Sequence, residues 1–184
     1  MPLGEMAKQK KFACTGRLLL FTGTGKGKTT AALGMMLRAS GHGMKSALVS
    51  FLKSDDRCGE HRALRRSRRL AIAVTGGGFV RADADAARHR RLAERGWRLA
   101  CRHLCDGSLG LVVLDEITYP IRFGWISADA VRRALRSRPP GQHVVLTGRA
   151  APRFLAALAD TVTEMREVKH AWRRGVPPAR GVEW

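Results

Sequence analysis

The chain has 184 residues, 45% of them apolar, with 34 Lys and Arg against 15 Asp and Glu for a formal net charge of +19. That length and apolar share fit one globular domain with one core. The charge points to anionic partners without saying whether they are nucleic acid, acidic proteins or polyanionic small molecules.

Residues 1–16 are polar and basic, with Lys8, Lys10 and Lys11, and read as a flexible arm ahead of a single domain over 17–184. A strand is predicted over 17–22, and it runs straight into Gly23-Thr24-Gly25-Lys26-Gly27-Lys28-Thr29-Thr30 and a helix over 28–40. A buried strand, a glycine-rich turn and a helix N-terminus together make a phosphate cradle. The glycines let backbone N–H groups close on oxyanions, Lys28 adds a mobile full charge, and Thr29 offers a hydroxyl to a phosphate-bound metal ion. The usual loop has a glycine five residues before its Gly-Lys-Thr, where this chain has Thr22; Gly23 is only four before Gly27. The shorter loop is expected to seat a triphosphate differently from a hydrolase.

Gly41-His42-Gly43 stops that helix, and further strands are expected over 46–51, 70–75, 109–115, 143–147 and 161–168. Helical patterns fall between them at 60–68, 83–105, 127–137 and 152–159, and Pro139-Pro140-Gly141 separates the fourth helix from its strand. The alternation predicts α/β architecture, with about six mostly parallel strands and helices on both faces. Near-continuous apolar runs such as Leu111-Val112-Val113-Leu114 suit a sheet covered on both sides. The segment from Ala171 to Trp184 reads as irregular, wrapping the surface.

In open parallel sheets, ligands gather at the carboxyl ends of the strands. Asp115-Glu116 closes one apolar strand there, and one or both acids are expected to hold Mg²⁺ (or Mn²⁺) with Thr29; Glu116 can instead orient a water for hydrolysis. Thr147-Gly148-Arg149 follows another strand, where Gly148 and Arg149 either approach a ribose or phosphate or simply turn the chain. Gly76-Gly77-Gly78-Phe79 is a hinge or lid candidate. The arginine-dense stretch from Arg62 to Arg69 is either a solvated face or a binding surface. Cys14, Cys58, Cys101 and Cys105 form no Cys-x-x-Cys pair, and Cys101 and Cys105, one helical turn apart, read as buried packing rather than metal ligands. No stretch approaches a membrane span and no signal-peptide core opens the chain, so a cytoplasmic, reduced protein is expected.

These pieces in this order resemble the P-loop ATP:corrinoid adenosyltransferases, the cob(I)yrinic acid a,c-diamide adenosyltransferases. Phe21 to Ala32, Gly41-His42-Gly43, Phe51-Leu52-Lys53, Gly59-Glu60 and Gly78-Phe79 carry the likeness. Val112 to Glu116 with Tyr119, Arg138-Pro139, Val144 to Arg149, Ala159 to Arg166, Val168-Lys169-His170 and Gly181-Val182-Glu183 extend it. The shortened phosphate loop is the form this family uses.

The resemblance implies a RecA-like P-loop three-layer sandwich and transfer of the 5′-deoxyadenosyl group of ATP to Co(I) of a reduced corrinoid, releasing triphosphate. It also implies an electron donor such as flavodoxin or a flavin reductase, and a homodimer. Gly23 to Thr30 would grip the triphosphate, with Lys28 stabilising the leaving group. The family's Gly-Phe loop usually continues to a tryptophan that helps shield the lower cobalt face; here Phe79 is followed by Val80 and Arg81. Phe79 is expected on the corrinoid side, and Arg81 to answer a corrinoid carboxylate. A RecA-like ATPase that binds nucleic acid is the alternative, and a family member that binds without turnover is a third reading.

Overall fold

A computed structural model describes residues 16–54, 58–78 and 86–183. The N-terminal arm over 1–15, Cys14, Phe79 and Arg81 lie outside the described residues.

Six strands form one sheet: β1 (Leu18–Thr22), β2 (Ser46–Ser50), β3 (Leu70–Val74), β4 (Leu111–Asp115), β5 (His143–Thr147) and β6 (Thr161–Glu164). Their spatial order is β3-β2-β4-β5-β1-β6, and every neighbouring pair is parallel. Parallel neighbours need crossovers, and the helices supply them. These are α1 (Lys28–Gly41), α2 (Gly59–Leu64), α3 (Ala86–Leu104), α4 (Thr118–Arg122), α5 (Ala128–Arg136) and α6 (Arg153–Leu158).

Successive strand residues point to opposite faces, and the buried side chains divide accordingly. Leu20, Val49, Val112, Leu114, Val144 and Leu146 pack with Ala100 and Leu104 of α3, Val131 and Leu135 of α5 and Leu155 of α6. Phe21, Leu48, Val113 and Val145 pack on the other face with Ala32, Leu33 and Met36 of α1 and Leu64 of α2. The result is the expected three-layer sandwich. β2 and β4 are buried at all five positions each, whereas the edge strand β6 is exposed at all four of its own.

Local chemistry fixes the element ends. Ser127 caps α5 by accepting the Ala130 N–H at 3.1 Å. Leu109 and Gly110 belong to a turn, since the Leu109 N–H reaches the Asp106 carbonyl, so β4 begins later than its apolar run. β6 is shorter than the expected 161–168: the Met165 N–H still reaches the Thr22 carbonyl of β1 at 2.8 Å, but its own carbonyl accepts the Gly25 N–H of the loop at 2.6 Å and the strand ends. α2 is also shorter than its pattern, and the arginines from Arg62 to Arg69 that follow its face are exposed. Cys101 is half-buried but Cys105 is exposed, so the packing role expected of both does not extend to Cys105. No helix among the described residues is long and apolar enough to cross a membrane.

Candidate active site

The order β4-β5-β1 places the carboxyl ends of three strands side by side. Three of the predicted motifs therefore meet there: the glycine-lysine loop after β1, Asp115-Glu116 after β4 and Thr147-Gly148-Arg149 after β5.

The loop turns on Gly23 and Gly27, with φ of 97° and 105°, the left-handed region that glycine enters freely. A Cβ on Gly23 would stand 2.4 Å from the Met165 carbonyl oxygen, so only glycine fits against the chain leaving β6. Lys28 opens α1 and is buried, its ammonium donating to the carbonyls of Gly23 at 3.0 Å and Gly25 at 2.5 Å. Burial first, and then the Arg149 charge, lower its pKa; Glu116 and Asp115 pull the other way. Such a poorly hydrated cation gains from an arriving anion.

Asp115 is fully buried and collects three hydroxyls. Its Oδ1 accepts from Thr29 at 2.8 Å and Thr147 at 2.7 Å, and its Oδ2 from Ser50 at 3.2 Å. Thr147 Oγ1 also accepts the Glu116 N–H at 2.9 Å, which joins β4 and β5 past the end of their ladder. Ser50 escaped the sequence reading. The signal for it was a polar residue ending an apolar strand, and register sets it opposite Asp115.

Glu116 turns away into a left-handed conformation with φ of 58°, so the adjacent acids do hold different positions. Its Oε2 is buried without a hydrogen-bond partner. Burial, and then the neighbouring Asp115 charge, push its pKa up to about 7. Thr29, Lys53, Cys58 and Glu116 border one cavity of about 390 Å³ with Gly78 and Glu183. Lys53 pairs with Glu60 at 3.2 Å; burial alone lowers its pKa, but Asp115 and Glu60 outweigh this and raise it.

Gly148 has φ of 149°, and a Cβ there would stand 2.0 Å from Thr118 Oγ1. That hydroxyl donates to the Arg149 carbonyl at 2.9 Å, which fastens the turn after β5 to α4. The remaining loop residues face the C-terminal segment. Thr24 Oγ1 accepts the Glu167 N–H at 3.4 Å, Lys26 pairs with Glu183 at 2.6 Å, and Thr30 borders a second cavity with Glu60 and Glu183.

The donors around Thr29 suit a hard divalent cation. They are a hydroxyl, a buried carboxylate and a second carboxylate with an unpartnered buried oxygen, all oxygen ligands. Among the described residues no group of three or more His, Cys, Asp or Glu side chains is arranged to hold a metal.

Residues 14–184 fit the family model described as ATP:corrinoid adenosyltransferase BtuR/CobO/CobP. The chain belongs to that family. A corrinoid adenosyltransferase of Pseudomonas aeruginosa is 42% identical over 170 residues, covering 92% of this chain and 84% of the relative. One from Escherichia coli K12 is 40% identical over 173 residues, covering 92% and 86%. The corrinoid adenosyltransferase CobA of Salmonella typhimurium is 38% identical over 169 residues, again covering 92% and 86%.

Proposed function

We propose that this protein transfers the 5′-deoxyadenosyl group of ATP to the cobalt of a reduced corrinoid, with release of triphosphate. The observation that carries this reading is the buried Lys28 at the head of a short glycine loop, beside the Thr29–Asp115 pair, in a chain of this family. In the reaction, the lone pair of Co(I) attacks C5′ and the C5′–O5′ bond breaks. The bonding pair leaves on O5′ of triphosphate, and cobalt becomes formally Co(III). The nucleophile needs no base, so the work of the protein is alignment and charge stabilisation of the leaving group.

Gly23, Thr24, Gly25, Lys26, Gly27, Lys28, Thr29 and Thr30 grip the triphosphate in this reading. Lys28 exchanges its two backbone carbonyls for phosphate oxygens as negative charge grows. Thr29, Asp115 and Glu116 would hold Mg²⁺ or Mn²⁺, which supplies further positive charge to the triphosphate when bound. Arg149 lies close enough to Lys28 and Glu116 to act on the pKa of both, which suits contact with the nucleoside or a second phosphate. Phe79 and Arg81, outside the described residues, are assigned to the corrinoid side by their motif alone. A homodimer, an electron donor such as flavodoxin or a flavin reductase, and a cytoplasmic setting complete the reading.

The test supplies ATP, Mg²⁺ and a chemically reduced corrinoid, then identifies the products. Triphosphate together with a light-sensitive Co–C bond is expected. ADP and phosphate, formed faster with DNA or RNA, would overturn it.

A further inference from the structure

The C-terminal segment brings a carboxylate to the phosphate loop. Lys26, between Gly25 and Gly27, meets Glu183 Oε1 at 2.6 Å across 157 residues of sequence. The other oxygen, Oε2, accepts the Ala179 N–H at 2.8 Å, and the Glu183 N–H returns to the Ala179 carbonyl at 2.9 Å. One side chain thus closes its own turn and fastens that turn to the loop. Glu183 also borders both cavities beside the loop, one with Thr29 and Glu116 and one with Thr30 and Glu60.

Both lysines of the loop are therefore engaged by the protein itself, Lys28 by two carbonyls and Lys26 by a carboxylate. An entering triphosphate must draw Lys26 from Glu183 and bring its own charge beside a fixed anion. The Lys26 hydrogen bond holds the Glu183 carboxyl below the usual carboxylate range, so the anion persists through neutral pH. The pair is partly exposed, at 45% and 26%, where ion pairs are weak and exchange readily. That suits a contact broken and remade in each cycle better than a permanent lock. A released carboxylate has cations nearby, since Arg166 and Lys169 border the adjoining cavity.

We propose that Glu183 is an internal competitor for the triphosphate. It holds Lys26 while the loop is empty, yields it when triphosphate binds, and reclaims it as triphosphate departs, which favours product release. The proposal rests on the reading that seats the triphosphate in Gly23 to Thr30.

The probe is inorganic tripolyphosphate with Mg²⁺, titrated calorimetrically into full-length wild type, Glu183→Gln, Lys26→Met and the double variant. Glutamine keeps an oxygen for the Ala179 N–H, and equal melting temperatures confirm that the turn survives. Glu183→Gln is expected to bind tripolyphosphate about two- to fivefold more tightly, the range a partly exposed ion pair commands. The gain should shrink in the Lys26→Met background to the part owed to charge repulsion alone, and triphosphate inhibition of turnover should strengthen by the wild-type factor while KM for the corrinoid stays fixed. Unchanged or weaker binding by Glu183→Gln, or an equal gain without Lys26, overturns the proposal. Lys28→Ala separates the two levels. If it binds tripolyphosphate as wild type does, the seating of triphosphate in the loop is what fails.

Discussion

The two ends of one parallel sheet treat their polar groups in opposite ways. At the amino end, side chains satisfy backbone. His143 Nδ1 accepts the Arg17 N–H at 3.0 Å, Asp160 accepts the Leu18 N–H at 2.7 Å, and Gln142 donates to the His103 and Asp106 carbonyls at 3.1 and 3.0 Å. At the carboxyl end, two acids and a lysine are buried together, held by hydroxyls, by loop carbonyls or by nothing. Asp115 gathers three hydroxyls, Glu116 Oε2 is unpartnered, and the two non-glycine left-handed residues among the described ones, Glu116 and Ala150, lie there. Groups spent on backbone stabilise the fold, whereas charges stacked in a dry crevice cost stability and wait for a ligand. Substitutions at the two ends should therefore separate activity from stability.

The largest separation is expected at Lys28. Lys28→Ala should lower kcat/KM for adenosylation about 100- to 1000-fold, the range for losing one donor to a leaving or developing anion. Its melting temperature should hold or rise, because a buried ammonium with a lowered pKa is removed. Parallel loss of activity and melting temperature would break the comparison.

The next effect is a pH dependence of stability in metal-free protein, measured by urea unfolding with chelator present. Native Glu116 keeps its proton up to about 7 against an ordinary 4.5, so between those values the native state binds more protons than the unfolded chain. Stability should then fall as pH rises through that window, by up to about 3 kcal/mol. Glu116→Gln should abolish this decline. His61 works in the opposite sense. It is fully buried with neither ring nitrogen partnered, and burial, then Lys53, lower its pKa. Unfolded His61 takes up a proton below its ordinary 6.5 while the native ring resists, so stability is lost on acidification, and His61→Leu should remove that limb. A wild-type profile unchanged by either variant would show that neither group is held as described.

The sheet, its covering helices and the glycine-lysine turn between β1 and α1 were legible in the sequence because their signals are local: apolar runs, helical spacing and glycines at a turn. What escaped was set by topology or by length. Ser50 and Thr147 reach Asp115 only because β2 and β5 flank β4, an order that no short window of sequence encodes. α4 has five residues around Pro120, too few for a periodic pattern, with the proline tolerated in its first turn. The tail expected to be irregular from Ala171 opens instead on a short 3-10 helix, Ala171–Arg174, and its grip on the loop through Glu183 joins positions far apart in the chain. Asp115 and Glu116 are neighbours in sequence, and neither the left-handed turn that parts them nor the Thr147 hydroxyl on the Glu116 N–H is written in their spacing.

The smallest effect tests the amino end. Gln142 is 2% exposed, and its Nε2 donates to the His103 carbonyl in the last turn of α3 and to the Asp106 carbonyl just past it, each of which also accepts a backbone N–H. Gln142→Leu removes both bonds but also removes Oε1, which has no partner of its own. Two lost hydrogen bonds, partly offset by that relief and by added apolar burial, should cost about 1–2 kcal/mol in unfolding free energy. Because this side chain lies at the far end of the strands from Lys28 and Asp115, kcat and the KM values for ATP and corrinoid should match wild type below the melting transition. A shifted KM for ATP at unchanged stability would mean that the strands transmit strain between their ends, and the division of labour between stability and chemistry would fail.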